Sequence, residues 1–141
     1  MTDLAAFIKA RLAEDEAAAR DLIESEAAAA EWSEPTSGVL VTGPGTAGDA
    51  WDGTHPIGDS RITRFIADHD PARVLREVAA KRQIVTRYQF AARQVEVNRV
   101  NGNAAEMEAW DKIAAALELC VLSIASVWSG HPDYDPAWAL T

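Results

Sequence analysis

Between Pro71 and Trp128 the chain carries one apolar pattern twice, on either side of Asn101-Gly102-Asn103. The first copy holds Val74, Val78, Val85, Tyr88, Ala92 and Val95 at helical steps, interrupted only by Lys81. The second holds Met107, Trp110, Ala114, Leu117, Val121, Ile124 and Trp128. Residues at that spacing line one side of an α-helix, and an apolar side must be covered. Two such seams joined by a tight turn predict an antiparallel helical hairpin packed in coiled-coil fashion. Gly102 suits the left-handed position that closes the first of its helices.

The rest of the chain is read around that hairpin. Residues 1–32 predict an N-terminal helix from Asp3 to about Glu31, capped by Thr2 or Asp3, with seven alanines between Ala17 and Ala30 and no glycine or proline. Its stripe of Leu4, Phe7, Ile8, Leu12, Leu22 and Ile23 thins at Ala17, Ala18 and Ala19, where a neighbouring helix can approach. Residues 33–60 are rich in glycine and proline. Val39-Leu40-Val41-Thr42 predicts a strand there, paired with a shorter one near Trp51 or Ile57. Residues 61–128 are helical, opening on the short segment "RITRFIADHD" with Ile62, Phe65 and Ile66 on its apolar face. Asp70 then reads as the N-cap of the long helix and Pro71 as its first residue. Residues 129–141 form an irregular tail whose Tyr134 and Trp138 are expected to fold back over the open end of the hairpin. The expected fold is a mainly α single domain: a three-helix arrangement with a long antiparallel helical hairpin and a small inserted β-hairpin.

Charge limits the partners. The formal net charge is −9, which disfavours a phosphate backbone, so no nucleic acid is expected. Residues 1–34 hold nine acids against three bases, and residues 71–99 hold seven bases against two acids. Attraction between an acidic and a basic helix accounts for that segregation. The N-terminus lacks a basic start followed by an apolar core, and no apolar run approaches the ~20 residues that span a bilayer. The expectation is a cytoplasmic protein with no membrane partner. The single cysteine, Cys120, excludes an intramolecular disulfide and reads as a small buried hydrophobe beside the seam.

Motifs that suggest chemistry fail on their surroundings. Gly43, Gly45 and Gly48 spell GxGxxG after a strand, but "DAWDGTHPIGDS" cannot open the helix that a dinucleotide site needs. Asp49 stands where a phosphate-binding loop would carry lysine. His69 with Asp70, and His131 with Asp133, are the candidate metal ligands, although no two histidines share ligand spacing on one helix. Glu106, Glu108, Asp111 and Glu118 fall mostly opposite the seam, as a solvated face does. The reading assigns no catalytic residue and no cofactor. Trp32 and Trp51, flanking the glycine-rich section, are candidate interaction residues. So are Arg73, Arg76 and Arg87, on one flank of the long helix, able to pair with acids of the first helix or to hold a carboxylate or phosphate.

The run "FIADHDPARVLREVAAKRQIV", residues 65–85, resembles the signature of a family of small actinobacterial and actinophage proteins of unknown function, whose members read "IARHDPARVLREVEAKR". "LAAFIKARLAEDEAAAR" and "HPDYDPAW" are similar to that family's ends. Where members carry a Thr-Pro-Gly-Pro-Trp element, this chain has only Trp32 and "EPTSG". The resemblance implies a phage or host setting and carries over no site residue. With no catalytic constellation, the reading is a non-enzymatic, self-associating interaction protein, a homo-oligomer or the binder of another protein. The alternatives are a metal-dependent hydrolase built on His69, Asp70, His131 and Asp133, and an acidic nucleic-acid mimic, against which the basic long helix argues.

Overall fold

The computed structural model describes residues 3–24, 31–33, 40–42 and 69–140. Three α-helices stand among them: α1 (Leu4–Glu24), α2 (Pro71–Val100) and α3 (Ala104–Ala125). Ser126–Trp128 and Pro136–Trp138 are single 3-10 turns. The fold is mainly helical. Among the described residues no helix is long and apolar enough to cross a membrane. The chain divides into two compact units, Met1–Leu12 with Ala79–Thr141, and Ala13–Val78.

The first unit is built on the hairpin. Its turn closes as a Schellman motif: Asn103 N–H donates to Asn98 O at 2.9 Å and Gly102 N–H to Arg99 O at 3.3 Å. Gly102 takes φ +73°, the left-handed conformation expected of it. A Cβ on Gly102 would meet nothing within 4 Å, so an alanine there pays only for its backbone angle. Gly102→Ala is therefore expected to lower stability by about 1–2 kcal/mol without changing the fold, read as a fall in thermal midpoint.

The start of α1 closes the core of this unit. Asp3 caps the helix by accepting from Ala5 N–H at 3.0 Å. Ala5, Ile8 and Leu12 follow at helical spacing and are buried, with Phe7 beside them. Val85 of α2 and Val121 and Ala125 of α3 are buried as well, and Ile8, Leu12, Val85 and Val121 are the largest fully enclosed side chains among the described residues. Lys9 Nζ donates to Gln89 Oε1 at 2.5 Å, tying α1 to α2.

On α2 the buried position near the turn is Ala91, and the expected Ala92 is exposed. The reason is the change of neighbours along the helix. Val85 lies where α1 and α3 both contribute to the core, whereas Ala91 lines a groove whose other wall is α3.

The second unit contains the remainder of α1, two short strands and the start of α2. Ala19 is buried in α1, and Arg20 pairs with Glu16 one turn back. Asp70 caps α2: its Oδ1 accepts from Arg73 N–H at 2.5 Å, and Pro71 stands at the first helical position. Strands β1 (Glu31–Ser33) and β2 (Leu40–Thr42) pair antiparallel, with Trp32 opposite Val41.

The inserted β-hairpin expected from the sequence, with a partner near Trp51 or Ile57, is not supported. The residues that pair with Leu40–Thr42 are Glu31–Ser33, which lie upstream. The N-terminal helix does not reach Glu31 as expected: it is described from Leu4 to Glu24, Glu31 is in a strand, and residues 25–30 lie outside the described residues. Pairing between segments outweighs the helix preference of isolated stretches. The GxGxxG motif, Trp51 and most of "RITRFIADHD" lie outside the described residues.

Candidate functional site

Two features of the first unit combine chemistry with position. The first is an aromatic cluster on Phe7. Trp128, His131, Tyr134 and Trp138 all present rings to it, with centroids 6.5, 5.8, 6.1 and 5.1 Å away. The tail reaches this position through tight turns: His131 N–H donates to Trp128 O and Tyr134 N–H to His131 O. Asp135 Oδ1 accepts from Ala137 N–H at 2.9 Å, and Pro136 opens the last turn. Edge-to-face packing matches the positive rim of one ring to the negative face of another, and adds about 0.5–1.5 kcal/mol per pair to area burial.

Arg11 runs along the same cluster. Its guanidinium lies 5.6 Å from the Phe7 centroid, and Nη1 contacts the His131 ring at both Nδ1 and Nε2. His131 Nδ1 also accepts from Asp133 N–H at 3.1 Å. In this arrangement His131 packs on Phe7 and hydrogen-bonds to the backbone of Asp133. Lys81, the one polar residue in the first seam, sets its ammonium 5.9 Å from the Trp128 ring centroid.

The second feature is an open groove of about 740 Å³ between α2 and α3, running from Thr86 to Ala91 on α2. Phe90, Trp110, Ile113 and Leu117 supply most of its apolar surface, and Arg87 and Lys112 stand in its wall. Phe90 and Trp110 meet edge to face at 5.6 Å. Phe90 is nonetheless 51% exposed and Ile113 45%. Burial, with the charges of Glu118 and Asp3, raises the pKa of the Tyr88 phenol.

Helix α3 explains why this face is apolar. From Ile113 to Ala125 its only charged residue is Glu118. A helix apolar around its whole circumference is normally enclosed on all sides. Here Val121 and Ala125 are buried, whereas Ala109, Ile113, Ala116 and Cys120 form a second stripe at helical spacing that is exposed throughout. Cys120 belongs to that stripe and is exposed, contrary to expectation. One residue before Val121, it is turned by about 100° away from the core.

The other candidates fall as follows. Arg73 Nε donates to Glu77 Oε1 at 2.9 Å, one turn further along α2. Arg76 is exposed on the same helix, and Arg87 stands at the groove. Trp32 lies in β1. Asp70 is engaged as a helix cap. Among the described residues no group of three or more His, Cys, Asp and Glu side chains is placed to hold a metal ion. Glu106, Glu108, Asp111 and Glu118 are all exposed. Sequence reasoning missed Phe90 and Ile113; the signal that points to them is the near absence of charge after Ile113, beyond what one seam requires.

What the geometry defines is a mainly helical protein with an apolar groove open beside a buried core among the described residues. A family of unknown function, DUF6221, matches residues 1–140, and the chain belongs to that family. No curated protein and no solved structure matches it.

Proposed function

We propose that this chain is a non-enzymatic interaction protein that associates with itself, an accessory factor of an actinobacterial phage or of its host. The observation that carries the reading is the second apolar stripe of α3 with the groove beside it, where Phe90, Trp110, Ile113 and Leu117 meet water. Large aromatic and aliphatic side chains gathered on one exposed face mark a surface that another chain covers. A second copy suits the face because two helices there meet two helices, giving a four-helix layer. The phage or host setting rests on the "HDPARVLRE" signature.

Native mass spectrometry of protein purified without chelator tests this reading. The expected result is a dimer or larger assembly with no added mass. A monomer carrying an excess equal to a metal ion, removable with EDTA, overturns it. In the same assay Ile113→Asp is expected to shift the balance toward monomer by tenfold or more, since it forces a charge into the covered face. Its helix content by circular dichroism is expected to stay at the wild-type level.

A further inference from the structure

The charge of the groove is opposite in sign to that of the chain. The protein as a whole carries a formal net charge of −9. The residues that line the groove nevertheless include two bases, Arg87 on α2 and Lys112 on α3, and no acid. Arg87 is exposed and makes no ion pair among the described residues. Lys112 reaches Glu108 at 2.8 Å, but both side chains are largely exposed and Glu108 does not line the groove. Water and salt screen such a pair, so it leaves the ammonium available to an acid brought into the groove.

Between the two bases the surface is apolar and long. Phe90 and Ile113 are about half exposed, and the small side chains of Ala91 and Ala116 leave room beside them for a close approach. From Trp110 to Leu117 the groove follows about 12 Å of the α3 axis, two turns of a helix. A small molecule in so open a trough stays largely in water, whereas ligand sites bury most of their ligand. An amphipathic helix fits better. Its apolar anchors at i, i+3, i+4 and i+7 fill such a trough, and the residues at the edges of its strip meet the walls. Acids at those edges meet Arg87 and Lys112, and bases there meet like charge.

We infer that the groove binds an amphipathic α-helix of a different protein, one whose apolar strip is edged with aspartate or glutamate. This goes beyond the self-association proposed above and uses the same surface. A second copy covers the apolar residues but brings Arg87 and Lys112 of both chains to one interface. The acidic helix carries no such repulsion and displaces it.

Two synthetic helical peptides test this, with the same strip of leucines and either glutamate or lysine at its edges. Each carries a dye and is titrated with the full chain, and binding is read as fluorescence anisotropy. The salt is about 0.15 M, where charges beyond about 8 Å are screened. The glutamate peptide is expected to bind at least tenfold more tightly than the lysine peptide. The net charge of the chain favours the lysine peptide, so the opposite preference isolates the groove. Arg87→Glu is expected to remove the preference, and Ala116→Trp, which fills the groove, to abolish binding. Both positions are exposed, so helix content by circular dichroism is expected to stay at the wild-type level. Equal affinity for the two peptides or binding of neither overturns the inference. So does a preference that survives Arg87→Glu, or binding that survives Ala116→Trp. Native mass spectrometry of the same mixtures separates this reading from self-association. A monomer that takes up the glutamate peptide overturns self-association and leaves the acidic partner standing. A dimer that persists without taking up the peptide overturns the acidic partner and leaves self-association standing.

Discussion

Val121→Asp is expected to leave the hairpin unit unfolded at room temperature. Val121 has no exposed surface, and neither have Ile8, Leu12, Val85 and Ala125 of the same unit. No cation stands in that set to pair with a carboxylate. An unpaired buried charge costs about 3–5 kcal/mol or forces the group to stay protonated. A domain this size holds only about 5–15 kcal/mol in total. The measurement is a thermal melt followed by circular dichroism at 222 nm, with Leu119→Asp as its control. Leu119 is on the same helix but 59% exposed, and away from the groove, so its substitution is expected to change stability by no more than about 0.5 kcal/mol. Equal melts for the two variants would refute the core described above.

Phe7→Ala is expected to cost about 3–5 kcal/mol, the range for truncating a buried aromatic residue, and to release the C-terminal tail. Phe7 is 3% exposed and touches four other rings, three of them in the tail after Ser129. Phe7 is the ring that three tail residues share, with Arg11 on His131 as a second tie, whereas the hydrogen bonds from Ser129 to Ala139 are local to the tail. Hydrogen exchange separates the two consequences. Amides of residues 131–139 are expected to lose protection even under conditions where α2 and α3 keep theirs. Protection that stays unchanged along the tail would show that Phe7 does not hold it.

The hairpin was legible because a seam, a left-handed glycine and a second seam are each sufficient cues, and they agree. Asp3 and Asp70 as caps, and the return of Tyr134 and Trp138 toward the open end, were legible for similarly local reasons: short polar residues before helices, and aromatic residues in a tail with little else to bury. The choice of Ala91 over Ala92 was not. It depends on which helix is the neighbour at each level, and no property of α2 by itself encodes that. The strand pairing failed in the same way, since Leu40–Thr42 had potential partners on both sides and the pattern of side chains did not distinguish them. The groove occupies a middle position. Its raw material, an α3 too apolar for one seam, is present in the letters, but which part of it stays exposed is settled by packing.

The Arg11–His131 contact joins positions 120 residues apart, and Phe7 depends on the same distant tail. The order of synthesis makes this a matter of timing. During translation α1 leaves the ribosome before α2 and α3, carrying Phe7, Ile8 and Leu12 ahead of the later helices and the tail. The α2–α3 hairpin, whose contacts are local, can close as soon as it is made. Closing the long loop onto the last turns comes after, at an entropic cost that grows only slowly with its length. For the whole of that interval α1 is an exposed amphipathic segment, and a chaperone or a neighbouring nascent chain would meet it before its own tail does.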